Sequence, residues 1–222
     1  MSVPETGHAA LMNATYRRQR RVYDLTRKYF LFGRDRLVAG LRPPESGHIL
    51  EIACGTGRNL DLIDRRWPGR KLYGLDISSE MLVSARQRLG RRAVLAEADA
   101  CDFDPASLYG TDAFDRIVIS YAVSMIPDWQ RALEHSGQKL APGGSLHVVD
   151  FGDLSGWPPP ARLGLNRWLE RFHVAPRLGL GPALDTIAVR MGARAATETI
   201  MGGYALLGRI ERADAALMRA AG

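Results

Sequence analysis

The chain has 222 residues, 46% of them hydrophobic, which suits one domain with a full core and leaves two domains cramped. Two cysteines, Cys54 and Cys101, cannot build a disulfide framework or a metal cluster on their own, and no apolar run approaches the roughly 18 residues of a membrane span or the core of a signal peptide. The net charge of +6 is uneven: residues 1–48 carry nine Lys/Arg against four Asp/Glu, residues 49–155 twelve against fifteen, and residues 156–222 nine against five. Basic flanks around a slightly acidic centre attract phosphate, of a nucleic acid or of an anionic membrane, or simply make a solvated arginine-rich face.

Residues 1–10 read as a loose terminus. From Leu11 to Leu31 no Gly or Pro interrupts a helix whose apolar positions include Leu11, Met12, Val22, Tyr23, Leu25, Tyr29 and Phe30. Arg17, Arg18, Arg20, Arg21, Arg27 and Lys28 crowd the remainder, so the helix suits a lipid interface or a lid over the main domain. Gly33 to Asp35 makes a break, and Arg36 to Leu41 forms a short helix before Pro43-Pro44. Strands are expected at Ile49–Ala53, Lys71–Leu75, Ala93–Glu97, Arg116–Tyr121 and Ser145–Asp150, with helices at Asn59–Arg66, Ser79–Leu89 and around Trp129–Leu140. Pro142-Gly143-Gly144 reads as a turn. This alternation predicts an α/β domain with a parallel sheet covered by helices on both faces. Gly152 to Arg194 breaks the rhythm with Pro158-Pro159-Pro160, Trp157, Trp168, Phe172, His173 and two Gly-Leu repeats, and is expected to cap the site. Ala196–Met201 and Tyr204–Ile210 flank Gly202-Gly203 as a β-hairpin. The expected organisation is a helical preface at 1–47, a main domain at 48–210 with a cap insertion at about 152–194, and a tail at 211–222.

The stretch His48–Asn59 organises the chain. A buried strand runs into Gly55 and Gly57 and then into an amphipathic helix, so helix amides face whatever binds there. Gly55 permits a tight turn, and Gly57 is expected to let backbone approach a ligand, because neither carries a Cβ. Strand 2 ends on Asp76, nineteen residues after Gly57, where a nucleotide-binding fold places the acid that receives ribose hydroxyls. A nicotinamide site expects a third glycine three residues after the second; that position holds Leu60, which weakens a dehydrogenase reading. Both cysteines follow predicted strands and are expected to be buried free thiols in a reducing cytoplasm.

Glu51-x-Ala-Cys-Gly-Thr-Gly-x-Asn59, Gly74-Leu-Asp76-Ile-Ser-x-Glu-Met-Leu-x-x-Ala85, Ala98-Asp99-Ala100, Phe114-Asp115, Leu140-Ala-Pro-Gly-Gly144 and the closing hairpin together resemble the class I S-adenosylmethionine-dependent methyltransferases. The resemblance covers about residues 45–210 and implies a Rossmann-like, seven-stranded mixed sheet in the order 3-2-1-4-5-7-6. It implies S-adenosylmethionine as cofactor, with Gly55 and Gly57 facing its methionine moiety, Asp76 its ribose and Asp99 its adenine amino group. Glu51 would orient the loop from beneath. Ala53, Asn59, Ile77, Met81 and Ala100 join the expected cofactor set, and Arg34 would meet the cofactor carboxylate.

Within that family, Tyr16-x-x-Gln-Arg-x-x-Tyr23-Asp-x-Thr-Arg27-Lys28-Tyr-Phe-x-x-Gly33-Arg34-Asp35 is similar to the BtaB-type enzymes that N-methylate diacylglyceryl-homoserine to a betaine lipid, and more loosely to phosphatidylethanolamine N-methyltransferases. The expectation is therefore N-methylation of a lipid headgroup at the inner face of an anionic membrane. The alternatives are phosphatidylethanolamine, or a small soluble or quinone-like acceptor. Tyr16 and Tyr23, seven apart on one helical face, and Tyr121, at the end of strand 4, are the candidate catalytic residues. Arg27, Lys28 and His173 are the candidate substrate contacts. No metal is expected. Nucleic acid is not expected either: exocyclic-amine DNA enzymes carry Asn/Asp-Pro-Pro-Tyr after strand 4, where this chain has Ser120-Tyr121-Ala122-Val123, and no cysteine nucleophile lies there. The four intact positions Gly55, Gly57, Asp76 and Asp99 argue against a catalytically dead scaffold.

Overall fold

The structure, a computed structural model, describes residues 32–170 and 174–214. The predicted helix Leu11–Leu31 and the candidate residues Tyr16, Tyr23, Arg27, Lys28 and His173 lie outside the described residues, as does the tail from 215. Seven strands, β1 (His48–Ile52), β2 (Lys71–Asp76), β3 (Ala93–Glu97), β4 (Phe114–Ser120), β5 (Leu140–Phe151), β6 (Arg194–Ile200) and β7 (Ala205–Glu211), form one sheet in the order β3-β2-β1-β4-β5-β7-β6. The first five run parallel, and β7 inserts antiparallel between β5 and β6. The expected sheet order and closing hairpin are therefore observed.

Ile49, Leu50 and Ile52 are all buried because β1 is covered on both faces, so its sequence is a continuous apolar run rather than an alternation. Under one face lie α1 (Arg34–Gly40), α2 (Arg58–Arg66) and α3 (Ser79–Leu89), whose Leu37, Leu60, Ile63, Leu82 and Leu89 pack with Ile49, Val118 and Val149. Under the other lie α5 (Trp129–Gln138) and α7 (Leu180–Arg190), whose Leu133, Leu184 and Ile187 pack with Leu50, Ile117 and Leu146.

Three elements differ from the sequence reading. A short helix, α4 (Pro105–Tyr109), follows β3; Asp104 caps it by accepting from the Ala106 and Ser107 amides, with Pro105 in the first turn. Pro142-Gly143-Gly144 lies inside β5 as a bulge, where pairing with β4 jumps from Phe114–Leu140 to Arg116–Ser145. The stretch read as an irregular cap contains α6 (Pro159–Glu170) and α7. Leu180, Leu184, Ile187 and Ala188 recur at helical spacing and are buried against the sheet, so α7 is a connecting helix of the main fold, its periodicity obscured by Gly179, Gly181 and Pro182 at its start.

His147, on β5, is buried, and its Nε2 lies 2.8 Å from Ser145 Oγ. Burial, with the Arg116 and Arg209 guanidiniums nearby, pushes its imidazole from 6.5 down to about 3. The unfolded chain therefore takes up this proton first, and stability falls as the pH drops through the interval between those values. We expect His147→Gln to lose roughly 2 kcal/mol less stability than the parent between pH 7 and 5, read from urea midpoints. Parallel pH profiles would contradict it.

Candidate active site

The site is assembled at the C-terminal ends of β1, β2 and β3. After β1 the chain turns through Ala53, Gly55 and Gly57 at φ 52°, 54° and 73°, and two of those positions suit glycine because L side chains rarely adopt such angles. The Asp76 carboxylate ties this loop to the next one. Its Oδ2 accepts from the Gly55 amide at 2.7 Å and its Oδ1 from the Ser78 amide at 2.9 Å. Asp76 is thus the organiser of two loops, a role beyond the ribose contact expected of it. Glu51, 1% exposed on β1, accepts from Asn59 Nδ2 at 2.6 Å and so holds the start of α2 beneath the loop. Ile77 is half-buried between Asp76 and Ser78, and Met81 is buried in the first turn of α3. After β3, Asp99 accepts from the Cys101 amide at 2.8 Å in a tight turn and stays half-exposed, next to the buried Ala100.

Gly57 also lies against a helix: a Cβ there would meet Leu89 Cδ1 at 2.7 Å and Ala85 Cβ at 3.2 Å, so its missing side chain admits the close approach of α3. Arg34 is carried to the site by α1, which packs on α2. Its side chain is 13% exposed and lies 3.7 Å from Asp35; burial and the neighbouring Arg58 lower its guanidinium, while Asp35 and Glu51 act the other way. A cation held near the glycine loop fits a carboxylate group of a ligand. Cys54 is buried under the loop, and burial pushes its thiol well up; Cys101, expected to be buried, is half-exposed, its thiol pushed up to about 12 by burial and then Asp99. Neither is an activated nucleophile.

Beyond the glycine loop, the ends of β4, β5 and β7 carry aromatic rings. Tyr121 adopts φ 52°, is 2% exposed, and donates its hydroxyl to the Phe32 carbonyl. Its ring meets Phe151 edge-on at 4.8 Å; Phe151 meets Tyr204 at 5.8 Å, and Tyr204 in turn meets Phe32 at 5.2 Å and Trp157 at 5.7 Å. Burial raises both phenols, Tyr204 to about 12, so neither ionises near neutral pH. Tyr121, expected as a catalytic group lining an acceptor pocket, has its hydroxyl engaged with the backbone where the N-terminal segment enters. Phe32, Phe151 and Tyr204, which surround Tyr121, are not among the residues the sequence singles out; Phe151 sits at the end of β5 as Tyr121 sits just past the end of β4, while Phe32 and Tyr204 come from distant segments.

A methyltransferase-domain family profile matches residues 50–146. The demethylmenaquinone methyltransferase of Thermus thermophilus is 32% identical over 165 residues, covering 71% of this chain and 71% of that protein. The chain belongs to the class I S-adenosylmethionine-dependent methyltransferases. A ubiquinone/menaquinone biosynthesis C-methyltransferase UbiE from Roseobacter denitrificans is 30% identical to this methyltransferase over 194 residues, 83% of this chain and 74% of that one. A solved S-adenosylmethionine-dependent methyltransferase from Aquifex aeolicus shares the fold at TM-score 0.60 and 16% identity, over 83% of this chain and 92% of that one. The plantazolicin methyltransferase BamL, solved with S-adenosylhomocysteine, does so at TM-score 0.68 and 13% identity, over 93% and 97%.

These relatives overturn one expectation. The Thermus thermophilus and Roseobacter denitrificans relatives are named for menaquinone and ubiquinone methylation, whereas the betaine-lipid reading rests on about twenty residues between 16 and 35, a stretch too short to outweigh similarity across the domain. N-methylation of a lipid headgroup and the BtaB resemblance are therefore set aside. The cofactor of the methyltransferase is S-adenosylmethionine, and the loop amides, Asp76, Asp99 and Arg34 make a donor and acceptor set that fits its carboxylate, ribose and base. No helix among the described residues is long and apolar enough to cross a membrane.

Proposed function

We propose that this methyltransferase methylates a ring carbon of a quinone-like acceptor, a hydroxylated aromatic ring in its reduced form. The observation that carries the reading is the identity of 27 to 32% with quinone C-methyltransferases over 71 to 83% of the chain. The rings of Phe32, Tyr121, Phe151, Trp157 and Tyr204 support it, because edge-to-face packing suits a flat apolar acceptor and excludes water from it.

Bound S-adenosylmethionine supplies an electrophilic methyl group on a sulfonium sulfur. Asp76 would accept from the ribose hydroxyls, Asp99 from the adenine amino group, and Arg34 would pair with the carboxylate. Glu51 and Asn59 keep the glycine loop in register and would so help to orient the bound cofactor. Tyr121 holds Phe32 against Tyr204 and closes the acceptor side, which makes it a positioning residue in this reading. The same reading brings the protein to an anionic membrane surface through the basic residues Arg17, Arg18, Arg20 and Arg21, since an apolar acceptor partitions into lipid.

One experiment tests both parts. Methyl-labelled cofactor is supplied with a ring-unsubstituted 1,4-naphthoquinol, in anionic vesicles and in neutral micelles, beside phosphatidylethanolamine. We expect label on a ring carbon of the quinol, with faster turnover in the anionic vesicles. Label on the aminolipid alone would sink the acceptor reading, and equal turnover in both preparations would remove the membrane part.

A further inference from the structure

The backbone between Tyr121 and α5 is held by two polar side chains, from β5 and from the segment before α7, that bind no ligand in the reading above. From β5, Asp150, 0% exposed, accepts from the Ser124 amide at 3.0 Å through Oδ2 and from the Phe151 amide at 2.8 Å through Oδ1. From the segment between α6 and α7, Arg177 donates Nε–H to the Val123 carbonyl at 3.3 Å and Nη2–H to the Ile126 carbonyl at 3.0 Å. The Ala175 amide donates to the Ser124 carbonyl at 3.1 Å beside it. One carboxylate thus takes an amide of the loop, and one guanidinium fork takes two of its carbonyls.

A carboxyl group at zero exposure costs free energy unless its bonds are needed there, and burial raises that of Asp150 while the Ser124 and Phe151 amides act the other way. A core role alone would be served by an apolar residue, as Val148 and Val149 serve just before it on the same strand. What the pair holds is a turn that begins with Tyr121 in the left-handed region, and Tyr121 carries Phe32 and Phe151 on its hydroxyl and ring. Residues 121–126 cannot shift without moving that aromatic side.

We propose that Asp150 and Arg177 are positioning residues for methyl transfer, clamping residues 121–126 so that the acceptor meets the cofactor methyl group in line. The proposal rests on the reading that the β4 end is the acceptor side. Through Ala175 and Arg177, residues 174–177 become part of the same arrangement: their displacement would release the loop without touching the glycine loop.

The test uses the full chain carrying Arg177→Gln, which removes the fork from a half-buried side chain, and Arg177→Lys, which returns one donor in place of two aligned ones. Hydrogen exchange of the peptides spanning 121–126 should quicken by about tenfold in the Gln variant, while exchange in α2 and α3 is unchanged. Affinity for S-adenosylhomocysteine by calorimetry should stay within about twofold, because no cofactor contact changes. With the naphthoquinol, kcat should fall by about tenfold to a hundredfold, the KM for the cofactor should hold, and Lys should recover part of the loss. Asp150→Asn, which keeps shape and loses one acceptor oxygen, should show the same exchange pattern. Exchange as slow as in the parent, or an unchanged kcat with the loop loosened, overturns the clamp. If the parent leaves the naphthoquinol unmethylated, the acceptor reading fails and the exchange measurement alone decides the clamp.

Discussion

Replacing Asp76 by Ala is expected to weaken S-adenosylhomocysteine binding by at least about a hundredfold, the largest loss of any single side chain at the cofactor end. Two amides, of Gly55 and Ser78, end on this carboxylate at 2.7 and 2.9 Å, and the ribose hydroxyls would end there too. Hydrogen bonds to a charged acceptor contribute roughly 1.5 to 3 kcal/mol each, so losing two from the ligand already exceeds a hundredfold, before the two loops lose their shared anchor. Asp76→Asn separates the parts. It keeps the shape and one acceptor oxygen, but turns an amide group toward one of the two N–H donors, so it should bind more weakly than the parent and better than Ala. Calorimetry with S-adenosylhomocysteine reads all three proteins. An Asp76→Ala affinity within about threefold of the parent would sink the assignment of Asp76 to the cofactor site, because among the described residues no other carboxylate is seen tying the two loops.

Gly57→Ala is expected to cost about 2 to 4 kcal/mol of folding stability. Two terms add. A non-glycine residue at φ 73° costs about 1 kcal/mol in the left-handed region, and the new methyl would stand 2.7 Å from Leu89 Cδ1 in a packed core, where overpacking costs about 1 to 3 kcal/mol. Helix α3 would have to move away from α2, taking Met81 and the Ser78 cap with it, so cofactor affinity should fall alongside stability. In a Leu89→Ala background, which removes the atom in the way, the same substitution should cost less. Urea denaturation of the four proteins gives the cycle. Strict additivity would show that the close approach to α3 is not what excludes a side chain at this position.

These two positions also mark how far the sequence could be read. At Gly57 the spacing shows a position that excludes a side chain, and the packing of α3 against it is visible only in the structure. Spacing along one chain reveals that a Cβ is unwelcome and not what it would strike. Asp76 was recognised as an acid at the end of a strand, and its hold on the neighbouring loop became visible only with both loops in place. α7 is obscured in the sequence because Gly179, Gly181 and Pro182 crowd the start of a helical run that the sheet nonetheless covers.

By itself, the sequence determined the strands, the helices of the first two β-loop-α units and the closing hairpin, and its family resemblance implied the sheet order. Each β-loop-α unit is continuous in the chain, so its apolar period, its turn glycines and its terminal acid lie within a few residues of one another. Only the tertiary structure assembled the aromatic end beside β4. Its contacts join Tyr121 to Phe32 across 89 residues, Arg177 to Val123 across 54 and Asp150 to Ser124 across 26. No local period or propensity encodes such pairs, because they exist only once separate elements pack on a common sheet.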